Sequence, residues 1–331
     1  MGKKHQYNNP VKATLKGIRD LFKKRGRIGV LHPEENLEGK TVLITGSSSG
    51  LGLATAKELA RLGARVVMAV RSGIPEKGEE VRRASGSDEI IMLPVDLSDF
   101  DSIDTLVSRI QNEIGPLDIV ISNAAVVAAK ARKTRAGLEE MFMVNYFSGY
   151  YLIRSLLGHN LISTNTKHPA RIIIVGSESH RDPGEFDWDG FGQYQAHTVG
   201  KTVALYGYYK LLLVTFAYEL SRQLKEKQLA HSVFALCPGP VNSNIAREAP
   251  ALFQPLLKLV FRLFFRSPEQ ASEPVVYLAT SSSMDKKSFA YLFLMDEKSI
   301  DEKAMDTSNG SKLWVLSEQL AEKLGHPLQG L

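Results

Sequence analysis

From about residue 41 the chain alternates short apolar runs with amphipathic stretches, and this alternation restricts its fold more than any other feature. Residues 41–44, 65–70, 90–94, 117–122, 171–176 and 232–236 read as buried strands, with 290–294 as a candidate seventh. Helical spacing falls between them at 51–62, 103–114, 138–157 and 206–224. Apolar strands joined by helices predict an α/β fold, a doubly wound parallel sheet with helices on both faces. The 331 residues suffice for one such domain. The expected organisation is a basic N-terminal arm over 1–38 and a single domain over 39–325. Two stretches depart from the alternation: 178–204, polar and rich in Gly, Asp and His, and 249–266, apolar and read as a lid.

Charge and cysteine content exclude several classes. Within residues 1–30, nine Lys and Arg against Asp20 alone give a net charge of +8, so the rest sums to −3 within a total of +5. Basicity therefore belongs to the arm, and no nucleic-acid partner is expected of the folded body. The single Cys237 excludes an internal disulfide, and no Cys/His cluster has zinc spacing, so no metal site is expected. These features suit a reducing compartment, and the expected location is cytoplasmic. No run of 18 apolar residues predicts a transmembrane helix.

Thr45-Gly46-Ser47-Ser48-Ser49-Gly50-Leu51-Gly52 directly follows the first apolar run and opens the first helix. Glycines there let the backbone turn tightly and approach a pyrophosphate, and the helix N-terminus offers unpaired N–H groups. Thr45, Gly46, Ser48, Ser49, Gly50, Leu51 and Gly52 are accordingly candidate cofactor-binding residues. The second strand ends in Val70-Arg71-Ser72. An acid at that position accepts from a ribose 2′-hydroxyl, whereas an arginine pairs with a 2′-phosphate. Arg71 therefore predicts NADP(H) over NAD(H). Asp96-Leu97, after the third strand, and Asn123-Ala124, after the fourth, are expected along the same cofactor.

Eleven tyrosines are present, and only Tyr206 has a lysine, Lys210, four residues on. Ser177 stands between the glycine turn and this pair, at the end of another apolar run. A phosphate-binding turn, a serine and a Tyr/Lys pair suggest hydride transfer to or from a carbonyl. Tyr206 would give or take the proton, with Lys210 and an oxidised cofactor favouring its phenolate. Ser177 would hold the carbonyl oxygen.

These residues resemble the short-chain dehydrogenase/reductase family over roughly 39–325. Thr45-Gly-x-x-x-Gly50-x-Gly52, Asp96-Leu97, Asn123-Ala124, Asn145, Ser177, Tyr206-x-x-x-Lys210 and Pro238-Gly239 follow the family's order. The stretches 172–181, 133–139 and 312–318 look like the branch containing retinol dehydrogenases and the WW-domain oxidoreductase. The resemblance implies a Rossmann fold. It also implies a catalytic set of Ser177, Tyr206, Lys210 and Asn145, the last positioning a water. Pro238, Gly239, Val241 and Ser243 would complete the cofactor site, with Ser243 beside the nicotinamide carboxamide. Two departures are visible. Ala125 stands where the family usually has glycine, and Gly176-Ser177 replaces Ser-Ser, leaving Ser179 as a rival for the catalytic serine.

The expected substrate is a lipophilic alcohol or carbonyl compound, such as a retinoid, steroid or isoprenoid. Lys258, Arg262 and Arg266 share one face of the apolar segment, as a membrane-interface lid would have them. The arm repeats the pattern with Val11, Leu15, Ile18 and Phe22 on one side. Segments 11–25 and 252–266 are thus expected to make peripheral contact with the cytoplasmic face of a membrane. The alternatives are a lid packed wholly onto the pocket and a solvated tail. The family often pairs subunits through its long helices, so a homodimer is an option. A second class of function is an NADP(H)-binding interaction or redox-sensing protein with little or no turnover.

Overall fold

The computed structural model describes residues 35–241 and 266–331. Most of the arm, Ser243 and the apolar segment up to residue 265 lie outside these residues. The strands are β1 (Thr41–Thr45), β2 (Arg65–Val70), β3 (Ile90–Pro94), β4 (Ile119–Ser122), β5 (Ala170–Val175), β6 (His231–Cys237), β7 (Phe289–Phe293) and β8 (Asp296–Glu297). They form one sheet in the order β3-β2-β1-β4-β5-β6-β7-β8. All neighbours pair in parallel except β7 with β8. The sheet is the expected doubly wound one, and the strand order reverses between β1 and β4.

The principal helices are α1 (Gly50–Arg61), α2 (Glu76–Ser85), α3 (Phe100–Arg109), α4 (Ser148–Gly158), α5 (Val199–Glu226), α6 (Pro268–Thr280) and α7 (Thr307–Lys323). Side chains alternate along each strand and so divide between two cores. Leu43, Ile172, Ile174, Val233 and Ala235 enter the core that contains residues of α3, α4 and α5. Val42, Ile44, Ile173, Phe234 and Leu236 enter the core that contains residues of α1 and α6. Both faces are therefore dry, as near-continuous apolar strands require.

Three helices escape the hydrophobic pattern. α2 buries only Gly78 and Val81, and α6 carries Pro274 in its interior. α7 buries Gly310, Leu313, Trp314, Ser317 and Ala321, a helical stripe in which only some members are apolar. The long helix expected over 138–157 is a composite: one turn at Glu140–Phe142, a π-helical turn at Met143–Phe147, then α4.

α7 covers the helices that carry the middle of the chain. The Tyr146 and Ser317 hydroxyls are 2.6 Å apart. Arg154, 2 % exposed, lies 4.2 Å from the Trp314 ring centroid and donates to Glu318 at 2.9 Å. Trp314 also meets Tyr150 edge-on and packs near Phe216 of α5. Trp314→Ala is expected to lower unfolding free energy by about 3–5 kcal/mol in urea denaturation. A loss below about 1 kcal/mol would contradict a load shared between α7 and the core.

Candidate active site

Parallel pairing brings the carboxyl ends of β1, β2, β4, β5 and β6 to one edge, where ligands of such sheets bind at the reversal point. The glycine turn begins there. Gly46 and Gly50 have φ of 67° and 53°, a region that disfavours side chains. A Cβ on Gly46 would stand 2.8 Å from Ala124 Cα, and one on Gly52 would stand 2.5 Å from both Asn123 Nδ2 and Gly46 O. The missing Cβ atoms thus allow the turn to lie against the loop leaving β4.

Asn123 stitches the two loops together. Its Nδ2 donates to Thr45 O (2.9 Å) and Gly46 O (3.1 Å). In return Thr45 Oγ1 accepts from Asn123 N (3.0 Å) and Ala124 N (3.2 Å). Ser47, which the pattern alone does not single out, is buried and donates to Ile44 O at 3.1 Å. The Ser49 side chain makes no capping bond to α1, and no acid lies in the helix's first turn. Its N-terminal amides therefore suit the pyrophosphate of a dinucleotide.

The remaining cofactor candidates lie along the same edge. Arg71 is exposed just beyond β2 and pairs with no carboxylate among the described residues. Asp96 turns its carboxylate onto Ser98, accepting from N (2.9 Å) and Oγ (2.7 Å). Half-buried Leu97 follows it. Pro238 and Gly239 follow β6. Gly239 has φ 78°, and a Cβ there would meet Leu294 Cδ2 at 2.7 Å. Val241 bridges to Arg266, which donates its amide to Pro240 O at 2.9 Å.

Ser177 leaves β5 and caps a 3₁₀ turn, Glu178–Arg181. Its Oγ accepts from Ser179 N (3.2 Å) and Ser179 Oγ (2.9 Å). The Ser177 carbonyl lies 3.1 Å from His180 N and 2.6 Å from His180 Nδ1. His180 Nε2 accepts from Asp301 N (3.2 Å), so the proton of the neutral ring sits on Nδ1. Burial pushes His180 down to about 4, keeping it neutral at physiological pH. Glu178 accepts from Tyr291 Oη and Lys298 Nζ, each at 2.9 Å. Burial alone would raise the Glu178 carboxyl, but Lys298, Arg181 and Tyr291 outweigh it and hold it below the ordinary range. Sequence reasoning named no role for Glu178 or His180; their signal is adjacency to Ser177.

Tyr206 and Lys210 lie one turn apart on α5. Lys210 is 1 % exposed; its Nζ is 5.7 Å from the Tyr206 ring centroid and donates to Val175 O at 2.8 Å. Burial pushes the Lys210 amine from 10.5 down to about 8. Tyr206 is half-buried by accessible surface yet closely surrounded by protein. Burial, then Cys237, push its hydroxyl well up, only partly opposed by the neighbouring Ser177 hydroxyl. Desolvation dominates, so the protein groups alone leave the Tyr206 hydroxyl above its ordinary value, and the expected lowering needs the oxidised cofactor beside Lys210. Asn145, on the π turn, clamps the β4 loop. Its Oδ1 accepts from Val126 N (2.7 Å) and its Nδ2 donates to Val126 O (2.8 Å), which commits its side chain to that residue.

The family model for short chain dehydrogenases matches residues 40–251. Human retinol dehydrogenase 14 is 34 % identical over 314 residues, covering 90 % of this chain and 89 % of that protein. Human polyprenol dehydrogenase is 30 % identical over 257 residues, covering 77 % and 76 %. A Mycobacterium paratuberculosis crystal structure shares the fold at a TM-score of 0.67 and 24 % identity, covering 89 % of this chain and 97 % of that one. Ordered glycine turn, reversed strand order and relatives at this identity agree: the chain is an oxidoreductase of the short-chain dehydrogenase/reductase family, in its retinol dehydrogenase branch.

Proposed function

We propose that the protein is an NADP(H)-dependent oxidoreductase that interconverts a lipophilic alcohol and its aldehyde or ketone at a Ser177–Tyr206–Lys210 site. The observation that carries this reading is the close approach of the turn after Ser177 to α5 beside Tyr206, where a Cβ on Gly207 would stand 3.0 Å from Ser179 O, with Lys210 tied to Val175 at the end of β5 and 5.7 Å from the Tyr206 ring centroid. Bound at the glycine turn, the nicotinamide cofactor supplies or accepts the hydride. The α1 amides, Gly46 and Gly50 would hold its pyrophosphate, and Lys210 its ribose.

The rest of the chemistry belongs to the chain's own groups. In reduction, Ser177 donates a hydrogen bond to the carbonyl oxygen as negative charge develops there. Tyr206, protonated across the neutral range, delivers the proton to that oxygen. In oxidation Tyr206 receives it, and a nearby positive charge is needed to offset the burial that resists its ionisation. Asn145 holds the β4 loop at Val126 and, through its main chain, would set a water in the proton path. The names of the relatives support a retinoid or isoprenoid substrate.

Exposed Arg71 beyond β2, with no acid beside it in the sequence, supports NADP(H). Its guanidinium can reach a 2′-phosphate bidentately. We also infer that segments 11–25 and 252–266 hold the protein on the cytoplasmic face of a membrane, and that any self-association avoids the α4 and α5 surfaces that α7 covers.

Three experiments test these readings. With NADPH and a panel of lipophilic aldehydes and ketones, the parent should oxidise the cofactor on at least one. Tyr206→Phe should lose roughly 100-fold or more of that turnover. A Tyr206→Phe variant as active as the parent refutes the mechanism, and tight NADPH binding with no turnover across the panel favours a binding role instead. Arg71→Glu should weaken NADPH binding roughly 10- to 100-fold in nicotinamide fluorescence titrations, with NADH little changed; equal weakening of both would assign Arg71 elsewhere. The full chain should sediment with anionic vesicles, and failure to do so at low and high salt alike would remove the membrane inference.

A further inference from the structure

We propose that Ser179 is a positioning residue that fixes the direction of the Ser177 hydroxyl proton, making Ser177 a one-way donor toward the reacting oxygen. The inference rests on the roles proposed above for Ser177 and Tyr206.

A serine hydroxyl has one proton to donate and two lone pairs with which to accept. Both Ser177 lone pairs are taken by one residue, through Ser179 N–H at 3.2 Å and Ser179 Oγ–H at 2.9 Å. The capacity left to Ser177 is its own proton. That proton is left for an oxygen placed between Ser177 and Tyr206. Ser179 therefore donates to Ser177, and that bond polarises the proton Ser177 has left to give.

The surroundings hold this pair of serines in place. Ser177 is fixed at its carbonyl by His180 N and Nδ1. The Ser179 carbonyl accepts from Asp182 N (3.2 Å) and lies close to α5 beside Tyr206. A Cβ on Gly207 would stand 3.0 Å from Ser179 O, so the glycine next to Tyr206 is what permits the approach.

The consequence is a defined proton path. A carbonyl oxygen between Ser177 and Tyr206 receives a hydrogen bond from the first and a proton from the second while hydride reaches its carbon. Ser177 keeps its proton throughout. In the reverse direction the alcohol oxygen accepts from Ser177, so the alcohol's own proton can leave only toward Tyr206. Without the Ser179 hydroxyl, a Ser177 lone pair is freed, and Ser177 can turn to accept the alcohol proton unproductively.

The test compares the parent with Ser179→Ala, Ser179→Thr, Ser177→Ala and Tyr206→Phe. The probes are all-trans-retinal with NADPH and all-trans-retinol with NADP⁺, with thermal melts confirming the fold. Ser179→Ala should lower kcat roughly 3- to 10-fold, the worth of one neutral hydrogen bond, while KM changes less than about two-fold. The rise of retinol oxidation with pH, which follows Tyr206 ionisation, should move to higher pH, and Ser179→Thr should restore both. A Ser179→Ala variant with parental kcat and pH profile, beside inactive Ser177→Ala and Tyr206→Phe, overturns this proposal and leaves the catalytic reading intact. An active Tyr206→Phe overturns both. Should the parent turn over neither probe, crystal structures decide. One Ser177 rotamer in the parent and several in Ser179→Ala support the proposal, and the same single rotamer in both refutes it.

Discussion

Parallel strand pairing is the constraint from which the site follows. It sends every carboxyl end of β1 to β6 to one edge, and the reversal of order between β1 and β4 opens a crevice there. The crevice keeps its shape because Asn123 and Thr45 exchange hydrogen bonds across it, and because Gly46 and Gly52 add no Cβ to fill it. The alternation that divides strand side chains between two dry cores also leaves the strand ends as the place where polar groups gather.

The catalytic candidates are held by elements far away in sequence. Ser177 is gripped at its carbonyl by His180, whose other nitrogen is fixed by the Asp301 amide. Glu178 reaches β7 through Tyr291 and also meets Lys298. The stretch after β5 is thus anchored to the segment 291–301, while Lys210 ties α5 to the end of β5. Burial dominates the titration of both Tyr206 and Lys210, so proton transfer here depends on charges brought in with the reactants.

Much of this was legible in the sequence. Arg65–Val70 and Ile90–Pro94 appear with the expected bounds, because unbroken apolar runs leave few alternatives in a sheet buried on both faces. The glycine turn and Tyr206/Lys210 were legible because their spacing is local. α2 was hidden by its charge, α6 by Pro274, and α7 by a buried stripe that includes Gly310 and Ser317. α5 begins at Val199, well before the apolar pattern; Gly200 and the exposed Val203 conceal its first turns. The roles of His180 and Glu178 depend on partners more than 100 residues away, which no local spacing encodes. Ser179 was visible as a rival to Ser177, but its relation to Ser177 needed coordinates.

The central claim is that hydride passes between a nicotinamide cofactor and a lipophilic carbonyl carbon beside Tyr206. It is tested most directly with NADPH deuterated at C4 of the nicotinamide, all-trans-retinal as acceptor, and mass spectrometry of the alcohol formed. The account predicts one deuterium on the new carbinol carbon in the parent, from one of the two C4 positions only, and no labelled alcohol with Tyr206→Phe. Alcohol formed without deuterium from either position, or labelled equally well by Tyr206→Phe, would contradict it.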